Sequence, residues 1–225
     1  TLVAAATTAM PRAAHADASA PSKGRPRGRT CCAMATHLPL HVGTAHVPLA
    51  IGLVASPQSL GAHSYSGDGT LHETNGLVYT TRGGFIDVGH TRDYADLTAY
   101  LTTALRPLFE RGDGVLVSVP MGGEVRIRVK AKPSADALAW TTALGAQRVA
   151  FHLSVCNEIL QYYGHSLSRG VDEIYSAFTP EDVYSNLLGT YVGTAALESP
   201  LAYDAAGDAL LRDALAMLGA VSSAE

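Results

Sequence analysis

The sequence predicts a single α+β domain in which small antiparallel strands and hairpins pack against about four helices. Three observations carry this. Short apolar–polar alternations broken by Pro and Gly crowd the first half of the chain, and long Ala- and Leu-rich stretches with helical spacing fill the second. A length of 225 residues suits one domain with a substantial core. An apolar share of 47% beside a charged share of 16% belongs to a globular chain.

Residues 1–30 read as the remnant of an export signal followed by a basic flexible linker, with the domain spanning 31–222. The stretch TLVAAATTAMPRAAHADA has a short apolar run and then Ala14-His15-Ala16, a small-x-small cleavage pattern. KGRPRGR, punctuated by Gly and Pro, is expected to be a solvated linker. Residues 36–60 suggest short strands, two of them on edges, because Pro has no N–H to donate to a ladder. Residues 61–76 are turn chemistry, and LVYTT is a strand ending at Arg82-Gly83-Gly84. From Asp87 to Arg106 the spacing predicts a helix with Tyr94, Leu97, Leu101 and Leu105 on one face, ended by Pro107 and Gly112.

VLVSV, PMGG and EVRIRVK form a hairpin whose Val125, Ile127 and Val129 alternate with Arg126, Arg128 and Lys130 on a wet face. Residues 135–163 make a long helix closed by Gly164. Thr179-Pro180-Glu181-Asp182 opens another helix, with Thr as N-cap and acids at the positive end of the dipole. Residues 204–219 give a last amphipathic helix, with Leu210, Leu211, Leu215 and Leu218 inward.

Charge and cysteine content narrow the function classes. Without its first thirty residues the chain holds 11 basic and 19 acidic side chains, a net of −8, which argues against nucleic acid as a partner. No run of eighteen apolar residues exists, so no transmembrane span is expected. Three cysteines do not make a disulfide framework, although Cys31 or Cys32 could pair with Cys156 in an oxidising compartment.

Candidate chemistry gathers in three stretches. In RGGFIDVGHTRDYADLTAYL, His90, Asp93 and Tyr94 share a helix face, with Asp87 just before the helix. A His and a carboxylate one turn apart bind one metal ion, or act as base and orienting acid. The structural alternative has Asp87 or Asp93 only capping the helix and Arg92 facing solvent. In FHLSVCNEILQYYGHS, Ser154, Glu158 and Gln161 make a polar stripe on an apolar helix. A carboxylate there must be paired, hydrated or metal-bound if it is buried, and solvated if the stripe faces out. Cys156 is a thiol nucleophile with His90 as base, or else a small core residue. In SAFTPEDVYSNLLGTYVG, Asp182, Tyr184 and Asn186 could wall a pocket, or the acids could only serve the helix N-terminus.

GLVYTTRGGFIDVGHTRDYADLTAYL, SVCNEILQYYG and SAFTPEDVYSNLLG together resemble an exported bacterial family known as domain of unknown function 4056. The Cys31-Cys32 pair and the LGAHSY segment at residues 60–65 are similar too. The resemblance covers residues 31–200. It implies export, a single domain, and site roles for His90, Asp93 and Glu158. Relatives often show a His-Glu pair where this chain has Asn157-Glu158, a departure that weakens a metal role unless His152 or His90 compensates.

The expectation is therefore an exported (periplasmic or secreted) hydrolase acting on a cell-envelope or extracellular small molecule or polymer. His90, Asp93, Glu158 and Asp87 would be catalytic. His90, Asp93 and Glu158 would be ligands of a zinc ion. Arg82, Arg92, Tyr184 and Asn186 would bind substrate. The alternatives are a non-catalytic binding or structural module with a buried polar network, and a Cys156/His90 thiol hydrolase.

Overall fold

The computed structural model describes residues 25–26, 28–29, 38–42, 45–49, 55–65, 73–119, 123–164, 174 and 177–222. The signal-like stretch with Ala14-His15-Ala16, the Cys31-Cys32 pair, His72 and His165 lie outside them. In chain order the elements are β1 (Leu38–Val42), β2 (Ala45–Leu49), β3 (Leu77–Thr80), β4 (Gly84–Asp87), α1 (Val88–Arg111), β5 (Gly114–Val119), β6 (Gly123–Val129), α2 (Leu138–Tyr162), α3 (Pro180–Glu198) and α4 (Tyr203–Met217). This is the α+β domain the sequence predicts: among the described residues, small antiparallel sheets and four α-helices.

The strands pair as three hairpins, β1–β2, β3–β4 and β5–β6. In the first, Leu38 faces Leu49 and Val42 faces Ala45. In the second, Leu77 faces Asp87 and Thr80 faces Gly84, whose φ of 71° suits a residue without a Cβ at the turn. The GFID strand was not expected, because four residues leading into a helix are too few to show a period of two. The segment after α4 adds to the β3 edge through Thr81 N–H to Gly219 O (3.0 Å) and Val221 N–H to Tyr79 O (2.9 Å). In the third hairpin Arg126, Arg128 and Lys130 are exposed and Val129 is buried, as the alternation predicts.

α1 is the central helix. Asp87 is its N-cap, accepting from His90 N–H at 3.0 Å, and Gly112 closes it with φ 84° and a bond from its N–H to Leu108 O. Pro107 does not end it. Leu105 and Leu108 are buried on either side of Pro107, and Pro107 itself faces solvent, so core packing holds the helix while water can serve the carbonyl that proline leaves unpaired. One core forms where Leu97, Leu101, Leu105 and Leu108 of α1 meet Ala146 and Ala150 of α2 and Val129 of β6. A second sets Val78, Ile86 and Val88 against Leu211 and Leu215 of α4.

α3 lies against α1 at backbone distance. A Cβ on Gly189 would come within 2.3 Å of Thr91 O, and one on Gly193 within 2.2 Å of Ala95 O. Only glycine fits at these two positions. Their four-residue spacing puts both on the face that receives α1, and so brings the first turns of α1 and α3 side by side.

Candidate functional site

Asp87, the N-cap of α1, and Asp182, in the first turn of α3, approach His90 between them. His90 Nδ1 lies 3.2 Å from Asp182 Oδ1. One ligand atom from each of Asp87, His90 and Asp182 lies within 4.8 Å of the others, and all three residues are buried. Local bonds lock the arrangement. Ser185 of α3 accepts from Asp87 N–H at 2.8 Å, and Thr91 donates to Asp87 O at 2.9 Å. Both acids sit at helix N-termini, where the dipole favours negative charge.

Glu158 reaches the same region from α2. Ser154, Glu158 and Gln161 are all buried, so the polar stripe faces inward, while Ile159, Leu160 and Tyr162 of the same helix are exposed. Glu158 Oε2 accepts from Phe178 N–H at 2.7 Å. Its Oε1 is buried with no hydrogen-bond partner among the described residues, and so are both side-chain atoms of Asn186 on α3. Phe178 has φ 60°, a left-handed conformation that costs a non-glycine residue about 1–2 kcal/mol and that aims its N–H at Glu158.

The electrostatics tie these groups together. Burial pushes the Asp182 carboxyl up to about 7; His90 opposes, while Asp87 and Glu158 add to the rise. Burial likewise raises Glu158, against the Phe178 hydrogen bond and the attraction of His90. The Tyr94 phenol is raised by burial and then by the charges of Asp93, Glu158 and Asp182, so it stays protonated beside them. Asp182 and Glu158 thus both interact with the His90 imidazole.

Of the residues singled out from sequence, His90, Asp87 and Glu158 are brought into one buried group. Asp93 turns away from it: its two oxygens accept from Arg29 N–H at 3.0 and 2.9 Å, and Arg29 Nη1 adds a third bond at 3.0 Å. Burial still lifts the Asp93 carboxyl to about 7, because desolvation outweighs Arg29. Arg29, assigned to the linker by sequence, is correspondingly buried. Arg92 is not solvent-facing or free for substrate; it is buried and donates to Leu60 O at 2.8 Å and Asn75 Oδ1 at 2.8 Å. Arg82 donates to Met217 O at the surface. Tyr184 is exposed and borders Gly83, whereas Asn186 is wholly buried in the α1–α3 seam. Cys156 is a free, exposed thiol rather than a core residue or a disulfide partner. His152 is also exposed, on the outer side of α2.

Asp182 was read only as a pocket wall or helix-start acid, and its role as His90's neighbour was missed. The signal that could have found it is Gly189-x-x-x-Gly193 in the same helix, which forces α3 onto α1 and carries the α3 first turn to the α1 N-cap.

No curated protein and no solved structure matches the chain. The model of one family, described as "Protein of unknown function (DUF4056)", matches residues 18–225. With nearly its whole length matched, the chain belongs to that family, as the three sequence blocks led one to expect.

Proposed function

We propose that the protein is an exported metal-dependent hydrolase of a cell-envelope or extracellular substrate, with one divalent ion, zinc foremost, held by Asp87, His90 and Asp182 and with Glu158 beside it as general base. The observation that carries this reading is the convergence of Asp87, His90 and Asp182, three buried residues each with one ligand atom within 4.8 Å of the others. Carboxylates at buried positions are costly unless their charge is balanced, and an ion held by the three would balance it. Two ligands of a tetrahedral zinc at about 2.0–2.1 Å stand about 3.3 Å apart, close to the 3.2 Å between His90 Nδ1 and Asp182 Oδ1. The full set, at up to 4.8 Å, would need to contract by roughly 1.5 Å around the ion.

The ion would lower the pKa of a bound water toward neutrality. Glu158, with one buried oxygen unpartnered among the described residues, would accept a proton from the attacking water as that water adds to the substrate's electrophilic carbonyl or phosphoryl centre. The proton then passes from Glu158 to the leaving group. In this reading Tyr94, held protonated, would donate a hydrogen bond to the developing charge. Export rests on the small-x-small pattern Ala14-His15-Ala16 after an apolar run. Among the described residues no helix is long and apolar enough to cross a membrane.

A second reading is a non-catalytic module whose cluster is neutralised by protons. The elevated Asp182 carboxyl favours it, since one shared proton also relieves the imbalance. Elemental analysis of the purified full chain separates the two. The hydrolase reading expects about one metal ion per chain, lost in His90→Ala and Asp182→Asn at retained helicity. Glu158→Gln should keep the metal and lose 10²–10⁴-fold in hydrolysis of a panel of esters, amides and phosphodiesters. Metal-free protein after equilibration with zinc and manganese, with His90→Ala unchanged, leaves the proton-sharing module.

A further inference from the structure

Among the described residues, a second buried charge group outside the candidate site is built around Arg29, in a stretch whose composition suggests a solvated linker. All five guanidinium N–H donors are matched. Nε and Nη2 grip Glu73 as a fork at 2.6 and 2.8 Å, Nη1 reaches Asp93 Oδ1 and Asp96 Oδ2 at 3.0 Å each, and Nη2 also bonds Ser64 O at 3.1 Å. The side chain is 4% exposed.

Two of the three acids are also held by groups other than Arg29. Ser64 N–H bonds Glu73 Oε1 at 2.8 Å, and Asp96 Oδ1 is bonded by Tyr203 O–H at 3.0 Å and approached by His63 Nε2 at 2.9 Å. Burial raises Glu73, but the Arg29 contacts outweigh it and leave the carboxyl below its usual range. The Glu73 and Asp96 sides of the pocket are therefore positioned by the folded body as well as by Arg29, and Asp93 is carried on α1. A lysine, with one compact ammonium, could not satisfy this planar set.

We infer that Glu73, Asp93, Asp96 and the Ser64 carbonyl form a guanidinium-binding pocket that Arg29 fills in cis, and that the pocket takes a guanidinium-bearing molecule in trans once Arg29 is removed. The pocket fastens the N-terminal segment to α1 one turn past His90. The inference does not rest on the hydrolase reading, since the pocket shares no donor set with the Asp87–His90–Asp182 group.

Two experiments test it. Limited trypsin digestion of the native full chain should spare the Arg29–Thr30 bond that trypsin cuts in the urea-unfolded chain; equal cutting of that bond in both overturns the inference. Arg29→Ala should melt about 10 °C lower. Millimolar methylguanidinium should raise the melting temperature of Arg29→Ala and leave wild type unchanged, and Arg29→Lys should stay near the alanine variant. If Arg29→Ala is recovered only by refolding, methylguanidinium should raise the yield above that with the neutral isostere urea. An unchanged melting temperature in Arg29→Ala, or an equal response to urea and methylguanidinium, overturns the inference.

Discussion

At residue scale the chemistry turns on Asp182. Burial raises its carboxyl to about 7, above the ordinary 3.8. An acid raised in the folded state binds its proton more tightly there than in the unfolded chain. Its contribution to stability is therefore full below about 4 and disappears as the pH climbs through about 7. Metal-free protein should accordingly lose melting temperature between about pH 4 and pH 7, and Asp182→Asn should flatten that slope. Added zinc should stabilise more at pH 8 than at pH 6, because a ligand must shed its proton to bind. Phe178 offers a separate test. Phe178→Gly keeps the N–H that holds Glu158 and removes the left-handed penalty, so its stability should stay within about 1 kcal/mol of wild type. Phe178→Pro loses the N–H and cannot adopt φ 60°, and should cost about 2 kcal/mol or more by denaturant unfolding. The positions of Asp87 as helix cap and of Glu158 on a polar stripe are legible in sequence, since a cap before a helix and a carboxylate in an apolar stretch are local signals. The partner of Asp93 is not, because Arg29 lies 64 positions away in a stretch that composition marks as linker.

At element scale the site depends on how closely α1 and α3 pack. Gly193→Ala puts a methyl 2.2 Å from Ala95 O, and Gly189→Ala puts one 2.3 Å from Thr91 O. Backbone carbonyls cannot yield as a flexible side chain does, so each should destabilise by about 1–3 kcal/mol. Each should also weaken metal binding without touching a ligand, read by competition against a zinc-binding dye. Pro107→Ala is expected to act in the opposite sense. Pro107 is exposed, so restoring an N–H there should raise stability by about 1 kcal/mol or more in a urea titration. Helix faces were readable from periodicity, as Leu97, Leu101 and Leu105 show. Pro107 and the GFID strand were not: in the first case core packing overrides a local preference, and in the second the element is too short to declare a period.

At the scale of the whole molecule, three helices converge on one polar interior. α2 turns Ser154, Glu158 and Gln161 toward it and exposes Ile159, Leu160 and Tyr162, inverting the ordinary sense of an amphipathic helix. That inversion explains why the stripe could be read in sequence either as a solvated face or as half a site; only the position of α3 decides it. The α1 N-cap, the first turn of α3 and the C-terminal end of α2 supply Asp87, Asp182 and Glu158 around His90, and no one of these elements assembles the group alone. The most direct test is anomalous diffraction at the zinc edge from crystals of the full chain grown with zinc. The predicted result is one peak about 2.0–2.2 Å from ligand atoms of Asp87, His90 and Asp182. No peak among these residues, with Asp182 bonded directly to His90 through a shared proton, would contradict it.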